Sequence, residues 1–140
     1  MGDDILNGGD ASSNRLKGLA GSDLLNGVGD RLAGRDAFNP ADSGGAQKDV
    51  LIGGKGSDWF ALADAAGSFY AQSLNLDRAI IRDFERKDHL ILHGESDLYS
   101  LVLKGSSTAE LSYNGDLVAK IKGTGVADLS LTNTDQVLFL

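Results

Sequence analysis

The first sixty residues repeat a short pattern in which a large apolar residue stands two positions after an Asp or Asn. Leucine or phenylalanine fills this position at Leu6, Leu16, Leu25, Leu51 and Phe60. Glycine-rich stretches separate these positions, so the pattern predicts very short strands joined by tight turns. A flexible linker is the alternative that composition alone allows, but a linker does not require an apolar residue in constant phase.

From Leu62 onward the glycine density falls and longer strand patterns take over. We expect strands over residues 79–84 and 89–92 on either side of a turn, a strand over 99–104 and a last strand over 137–140. Together these segments predict a mainly antiparallel C-terminal cap, residues 63–140, that covers the open end of the repeats and packs with them as one unit.

Residues 109–122 are predicted to form a hairpin around Asn114-Gly115-Asp116. A two-residue loop would pair Glu110 with Ala119. A three-residue loop separates the apolar and polar faces and is preferred; its pairs are Tyr113 with Leu117, Leu111 with Ala119, Ala109 with Ile121 and Glu110 with Lys120.

One uninterrupted copy of the pattern G-G-x-G-x-D-x-U-x, where U is a large apolar residue, starts at Gly53. This pattern is the nine-residue unit of a calcium-loaded parallel β-helix. Gly53, Gly54 and Gly56 are predicted to allow a tight turn with positive φ angles, Asp58 to end the turn with a carboxylate, and Phe60 to point into the core.

Less complete copies precede this unit. The sequence G-x-D-x-U recurs around Asp4, Asp23 and Asp36, whereas Asp30 and Asn14 begin shorter matches. The spacing is irregular, and Asp30 and Asp36 are too close together for both to close full turns. We therefore expect an eroded repeat array over residues 1–62, with a loop inserted at 39–48.

Stacking explains why Asp recurs at this period. Two nine-residue units make one coil, so each turn lies above the turn two units away and their carboxylates face each other about 4 to 5 Å apart. Such carboxylates repel each other, and a cation with six to eight oxygen ligands removes the repulsion, which predicts Ca²⁺. Asp4 with Asp23 is the most plausible pair; Asp30 or Asp36 with Asp49, and a site with Gly54, Gly56 and Asp58, come next. The predicted metal-binding residues are Asp4, Gly21, Asp23, Asp30, Asp36, Asp49, Gly54, Gly56 and Asp58.

The N-terminal half resembles the RTX, or haemolysin-type, calcium-binding repeat family. The resemblance continues through Asp77–Leu92, which is similar to the D-x-I-x-D-F-x-x-x-x-D-x-I/L-x-L segment that follows these repeats in bacterial secreted proteins. It implies an all-β fold, a parallel β-roll capped by a C-terminal antiparallel segment like a β-sandwich. It also implies secretion from bacteria by type I secretion machinery, which reads a C-terminal signal, so the missing N-terminal leader is compatible with export.

Composition agrees with this interpretation. The net charge of −7 argues against nucleic acid and anionic membranes as partners, no apolar run reaches the length of a membrane span, and there is no cysteine. All nine acidic residues among the first sixty are Asp, the shorter carboxylate that suits tight turns. The chain begins in mid-repeat, so further repeats or a catalytic domain are expected upstream. No nucleophile with a base is evident, and we expect a non-enzyme.

Other residues leave alternatives open. The cluster Arg78, Arg82, Arg86 and Lys87 suggests a second hypothesis, a calcium-dependent polysaccharide-binding module of an epimerase or adhesin. Asp77, Asp83 and Asp88 fit turn and calcium roles about as well as ordinary positions at strand ends. His89 and His93 are expected to be partly exposed structural residues, and Trp59 to pack more than to bind sugar.

Overall fold

The computed structural model describes residues 4–7, 15–17, 24–26, 31–33, 48–54, 56–71 and 78–140. The described residues are mostly β-strand, and their only helices are short 3-10 turns, so the all-β prediction is confirmed. The strands are β1 Ile5–Asn7, β2 Arg15–Lys17, β3 Leu24–Asn26, β4 Arg31–Ala33, β5 Lys48–Ile52, β6 Trp59–Ala61, β7 Ala63–Asp64, β8 Gly67–Ser68, β9 Arg78–Ile81, β10 His89–Leu92, β11 Tyr99–Leu103, β12 Thr108–Tyr113, β13 Asp116–Lys122 and β14 Val137–Phe139.

Strands from consecutive repeats enter different sheets. The first sheet has the order β1-β3-β5-β9-β13-β12-β11, and the second has the order β14-β10-β6-β4-β2. Within the repeats all pairs are parallel, with Ile5 beside Leu24 and Leu24 beside Val50 in the first sheet, and Arg31 beside Trp59 in the second. Each strand therefore lies beside the strand two units away, which is the spacing that the stacking argument predicts.

The core collects the apolar residues of the repeat pattern. Leu16, Leu51 and Phe60 are buried, and Leu6 packs against the same cluster from a half-buried position. The neighbouring residues of β6 follow the alternation of a strand, since Trp59 is exposed where Phe60 is buried. The predicted burial is therefore confirmed at Leu16, Leu51 and Phe60, while the side chain of Leu25 lies outside the described part of the structure.

The C-terminal half extends both sheets instead of forming a separate antiparallel layer. Parallel strands β9 and β10 continue the repeats, and β14 adds a parallel edge. Among the described strands, β11, β12 and β13 pair antiparallel, as do the two-residue strands β7 and β8, which form a small separate sheet. The predicted strand 89–92 is confirmed, whereas the strand predicted over 79–84 is Arg78–Ile81. Both sheets run across the predicted boundary at residue 62. The inserted loop lies outside the described residues except for Lys48, which begins β5.

The hairpin of β12 and β13 combines the two predicted registers. Ala109 with Ile121, Glu110 with Lys120 and Leu111 with Ala119 pair as expected, but Tyr113 pairs with Asp116 and not with Leu117. Asn114 and Gly115 both have positive φ, which gives a two-residue turn. A bulge between Leu111 and Ser112 then shifts the register by one residue. The prediction omitted this bulge. With the bulge, a two-residue turn is compatible with apolar and polar side chains on opposite faces of the hairpin.

Candidate metal site

One repeat turn connects β5 to β6; the structure describes its residues 53–54 and 56–58, and it is called turn 53–58. Gly54 and Gly56 have φ angles of 78° and 113°, in the left-handed region that favours glycine, so two of the three predicted positive angles are confirmed. Gly53 does not have a positive φ angle, so the predicted reason for a glycine at this position was wrong. A Cβ at Gly53 would lie 2.7 Å from Oδ2 of Asp58 and 2.9 Å from Cζ of Phe60, so Gly53 is required for space.

Asp58 and Asp88 lie side by side at the ends of two stacked turns. Trp59 pairs with His89 across β6 and β10, and the His89 amide donates to the Asp58 carbonyl over 2.8 Å. The Asp58 amide in turn donates to Oδ1 of Asp88 over 3.0 Å. The repeat pattern therefore extends one turn further than the clean repeat, with Asp88 in the position of its Asp.

Both carboxylates are removed from solvent: Asp58 is 0% exposed and Asp88 is 1% exposed. The pKa of Asp88 is raised to about 6, mainly by burial and to a smaller extent by the negative charges of Asp58 and Glu85, while backbone hydrogen bonds from Glu85 and Asp58 oppose the shift. Two buried neighbouring carboxylates disfavour each other's ionisation. A divalent cation bound next to Asp58, on the side away from Asp88, would favour ionisation of both carboxylates.

Asp83 binds the other end of the same turn. Its Oδ1 accepts from the Gly53 amide at 2.8 Å, and its Oδ2 accepts from the Gly54 amide at 2.7 Å. Asp88 also accepts from the Glu85 amide at 2.7 Å through Oδ2. Asp83 and Asp88 thus have turn-stabilising contacts, one of the two roles left open for them. The segment D-F-x-x-x-D, Asp83–Asp88, was the sequence signal for this pair.

Asp49 and Asp4 occupy different environments. Asp49 is fully buried in β5 and accepts a hydrogen bond from the Tyr70 hydroxyl over 2.8 Å. Asp4 is exposed immediately before β1.

Since β4 and β5 belong to different sheets, the strand that follows Asp30 is not the neighbour of the strand that contains Asp49. The other predicted metal-binding residues lie outside the described residues: Gly21, Asp23, Asp30 and Asp36.

The described turn offers donor atoms of the type that calcium binds. It offers the Asp58 carboxylate and backbone carbonyls beside glycines, all of them hard oxygen donors. Within the described ranges no group of three or more His, Cys, Asp or Glu side chains is placed to hold a metal ion. A complete coordination shell would therefore have to include backbone oxygens or the neighbouring repeat turn.

His89 joins three segments. Its Nδ1 lies 2.8 Å from the Asp135 carbonyl, its Nε2 lies 2.9 Å from Oγ of Ser57, and its ring stacks on Trp59 at 4.2 Å. Because a carbonyl only accepts, Nδ1 carries the hydrogen. The Ser57 hydroxyl donates to the Lys87 carbonyl at 2.7 Å, so its hydrogen is not directed at the imidazole. In an activated serine nucleophile the hydroxyl donates its hydrogen to the base, and the Ser57 hydroxyl does not donate to His89.

A polar cleft of about 430 Å³ lies beside this histidine. It is lined by Arg86, His89, Asp128, Asn133, Asp135 and Gln136. Arg86 is paired with Asp128 at 2.8 Å, and Gln136 donates to the Arg86 carbonyl at 3.0 Å. The lining side chains are thus largely bound to one another.

The predicted basic cluster is partly neutralised. Arg86 pairs with Asp128, and Lys87 pairs with Glu85 at 2.8 Å, a contact that raises the pKa of Lys87. Arg82 is exposed just after β9, whereas Arg78 is half-buried within it. The positive charge available to an anionic ligand is therefore smaller than the sequence indicated.

No protein-family model matches the chain, and no curated protein matches it either. Among the described residues, no helix is long and apolar enough to cross a membrane.

Proposed function

We propose that this chain is a calcium-binding RTX module whose repeat half folds as a parallel β-roll when calcium binds. The observation that carries the proposal is the adjacent pair Asp58 and Asp88, both buried and held one strand spacing apart. Two such charges cost free energy when both ionise in a site of low polarity, and a divalent cation reverses the sign of that cost.

The strand order also supports the β-roll. Consecutive repeats enter different sheets and alternate repeats pair in parallel register, the arrangement required for two units to complete one coil. In each coil, carboxylates and carbonyls of one turn then lie next to those of the turn two units away. Calcium accepts such irregular oxygen sets because it takes about six to eight ligands in flexible geometry.

The biological role that we propose is secretion and stabilisation of a larger bacterial protein. In a calcium-poor cell interior the Asp-rich turns repel one another and the repeats stay open, which suits passage through type I secretion machinery. Outside the cell each filled site adds about 2.7 kcal/mol when calcium is a hundredfold above its dissociation constant. Extracellular calcium modules commonly bind at about 0.1 to 1 mM.

A calcium titration followed by far-UV circular dichroism tests this function. We expect β-structure to increase on calcium addition and to revert with a chelator, with Mg²⁺ much less effective because it requires a stricter octahedral shell. Asp58→Asn should weaken the response, whereas the exposed Asp97→Asn should not. A spectrum unchanged by calcium would refute the proposal.

The polysaccharide-binding alternative retains one favourable observation. Trp59 is 36% exposed and stacks on His89, which lines the polar cleft. Because the basic cluster is partly paired, this surface suits neutral sugars better than anionic ones. A glycan array probed with the calcium-loaded chain distinguishes the alternatives, since a pure folding module is retained by no glycan.

A further inference from the structure

We infer that Asp83 and Asp88 are positioning residues that orient the turn 53–58 so that its carbonyl oxygens face the calcium side. The inference rests on the proposed function and concerns residues outside the glycine-rich repeats. Both aspartates belong to the segment 82–88 between β9 and β10, which lies over the turn 53–58 as the next layer of the stack.

The two carboxylates accept hydrogen bonds from amide groups on one side of the turn. Asp83 accepts from Gly53 and Gly54 at 2.8 and 2.7 Å, one oxygen for each amide. Asp88 accepts from the Asp58 amide at 3.0 Å. Hydrogen bonds to a carboxylate are stronger than those to a neutral acceptor, and two successive amides that converge on an anion form a backbone nest. Three N–H groups therefore point toward segment 82–88.

Peptide geometry fixes where the carbonyls point. In a planar trans peptide the carbonyl of one residue points opposite to the N–H of the next. The carbonyl oxygens of Ile52, Gly53 and Ser57 consequently point away from Asp83 and Asp88. In the sheets, β5 lies between β9 and β3, and β6 lies between β10 and β4. These oxygens are thus directed toward the side of β3 and β4.

This sorting of donors and acceptors matters for a cation. An amide N–H that faced Ca²⁺ would repel it, whereas a row of carbonyl oxygens supplies ligands of the kind calcium prefers. Asp83 and Asp88 act as internal anions that occupy the amide face, which leaves the oxygen face to the metal. Loss of Asp83 frees the peptide units at Gly53 and Gly54 to rotate, because glycine imposes little conformational restriction.

The test measures calcium affinity by isothermal titration calorimetry and the amide signals of Gly53 and Gly54 by ¹⁵N NMR, on the full chain. In Asp83→Ala we expect the calcium dissociation constant to rise about tenfold, or 1.4 kcal/mol. The two amide signals should shift upfield as they lose their carboxylate acceptor. Asp97→Ala is the matched control, because Asp97 is exposed in the 3-10 turn Ser96–Leu98, and it should leave both readouts unchanged.

Added formate supplies a free carboxylate for the vacated nest. Sodium formate should restore part of the calcium affinity of Asp83→Ala, whereas sodium chloride at equal ionic strength should not. Wild-type affinity in a folded Asp83→Ala protein, or equal effects of formate and chloride, would overturn the inference. If the alanine variant does not fold with calcium, Asp83→Asn serves instead, since its amide retains one acceptor and must lose affinity less severely.

Failure of the proposed function has a different signature. A wild-type chain that binds no calcium refutes the calcium module, but the Gly53 and Gly54 amide signals of wild type and variant still show whether Asp83 holds them. Unchanged amide signals together with normal calcium binding refute the positioning role alone.

Discussion

At the scale of single residues, the glycines of the turn 53–58 serve two separate purposes. Gly54 and Gly56 supply backbone angles that other residues rarely adopt, whereas Gly53 leaves room for the Asp58 carboxylate and the Phe60 ring. The sequence pattern has glycine at all three positions and does not distinguish these two purposes. Only the packing around Gly53 separates a requirement for space from a requirement for conformation.

Gly53→Ala should therefore destabilise the calcium-loaded protein by about 3 kcal/mol, the upper range for overpacking, because its Cβ would meet both a buried carboxylate and a buried ring. Urea unfolding followed by circular dichroism measures the loss. Ser106→Ala, at an exposed position, is the control and should change stability by less than about 0.5 kcal/mol. Equal stability of the two variants would show that the turn can relax around the methyl group.

The raised pKa of Asp88 predicts that, without calcium, the free energy of unfolding falls as the pH rises. Its folded-state pKa is raised from 3.8 to about 6, so the folded state binds the proton more tightly than the unfolded state. The stabilising contribution is therefore complete below about pH 4 and is lost as the pH rises through 6. It amounts to at most about 3 kcal/mol.

Urea unfolding in chelator at several pH values between 4 and 7 measures this contribution. Wild type should lose stability as the pH rises, and Asp88→Asn should lose less, although its overall stability is lower because one amide loses its acceptor. With calcium present the wild-type decline should be smaller, because the cation favours the ionised carboxylates. Parallel profiles for the two proteins in chelator would assign the pH dependence to other groups.

At the scale of elements, β5 is tied to the segment that follows β8. Tyr70 is fully buried, and its hydroxyl donates to Asp49, a buried residue that the sequence suggested as a metal ligand. The Asp at a strand start can thus be satisfied by a hydrogen bond from another element. Nothing in the repeat pattern indicates that Tyr70 lies there.

Tyr70→Phe tests this contact. Removal of a hydrogen bond to a buried carboxylate should cost about 1.5 to 3 kcal/mol, measured by urea unfolding in calcium. Tyr113→Phe, at a half-buried position next to the hairpin turn, is the matched control and should cost less than about 1 kcal/mol. A Tyr70→Phe protein as stable as wild type would mean that Asp49 has an equivalent partner without Tyr70.

At the scale of the whole molecule, the strand lengths predict that stability is unevenly distributed. Strands β1 to β4 have three residues each, whereas β12 and β13 have six and seven and form the antiparallel end of the first sheet. If the proposed calcium function is correct, we expect the repeat end to depend more on the metal than the C-terminal end does.

Hydrogen exchange should reveal this difference. In chelator, amides of β1 to β4 should exchange fast while those of β12 and β13 remain protected, and calcium should protect both sets. Exchange measured by NMR or mass spectrometry with and without calcium checks the expectation. Uniform protection along the chain in chelator would contradict metal-dependent folding of the repeats.

The sequence was sufficient for features that depend on local periodicity. An apolar residue two positions after each Asp or Asn predicted the buried Leu16, Leu51 and Phe60, and a nine-residue unit predicted that neighbours in a sheet come from alternate repeats. These features follow from the period of two in a strand and from the glycine-rich turns. Both are properties of consecutive residues.

Only the tertiary structure decided contacts between distant segments. Asp83 and Asp88 reach a turn about thirty positions earlier, Tyr70 reaches Asp49, and the bulge near Ser112 sets the hairpin register. Such contacts depend on how the layers stack and on which buried polar group lacks a local partner, and a sequence pattern contains neither. The periodic sequence determines what each turn can offer to a cation, and the stacking of the layers decides which atoms face it.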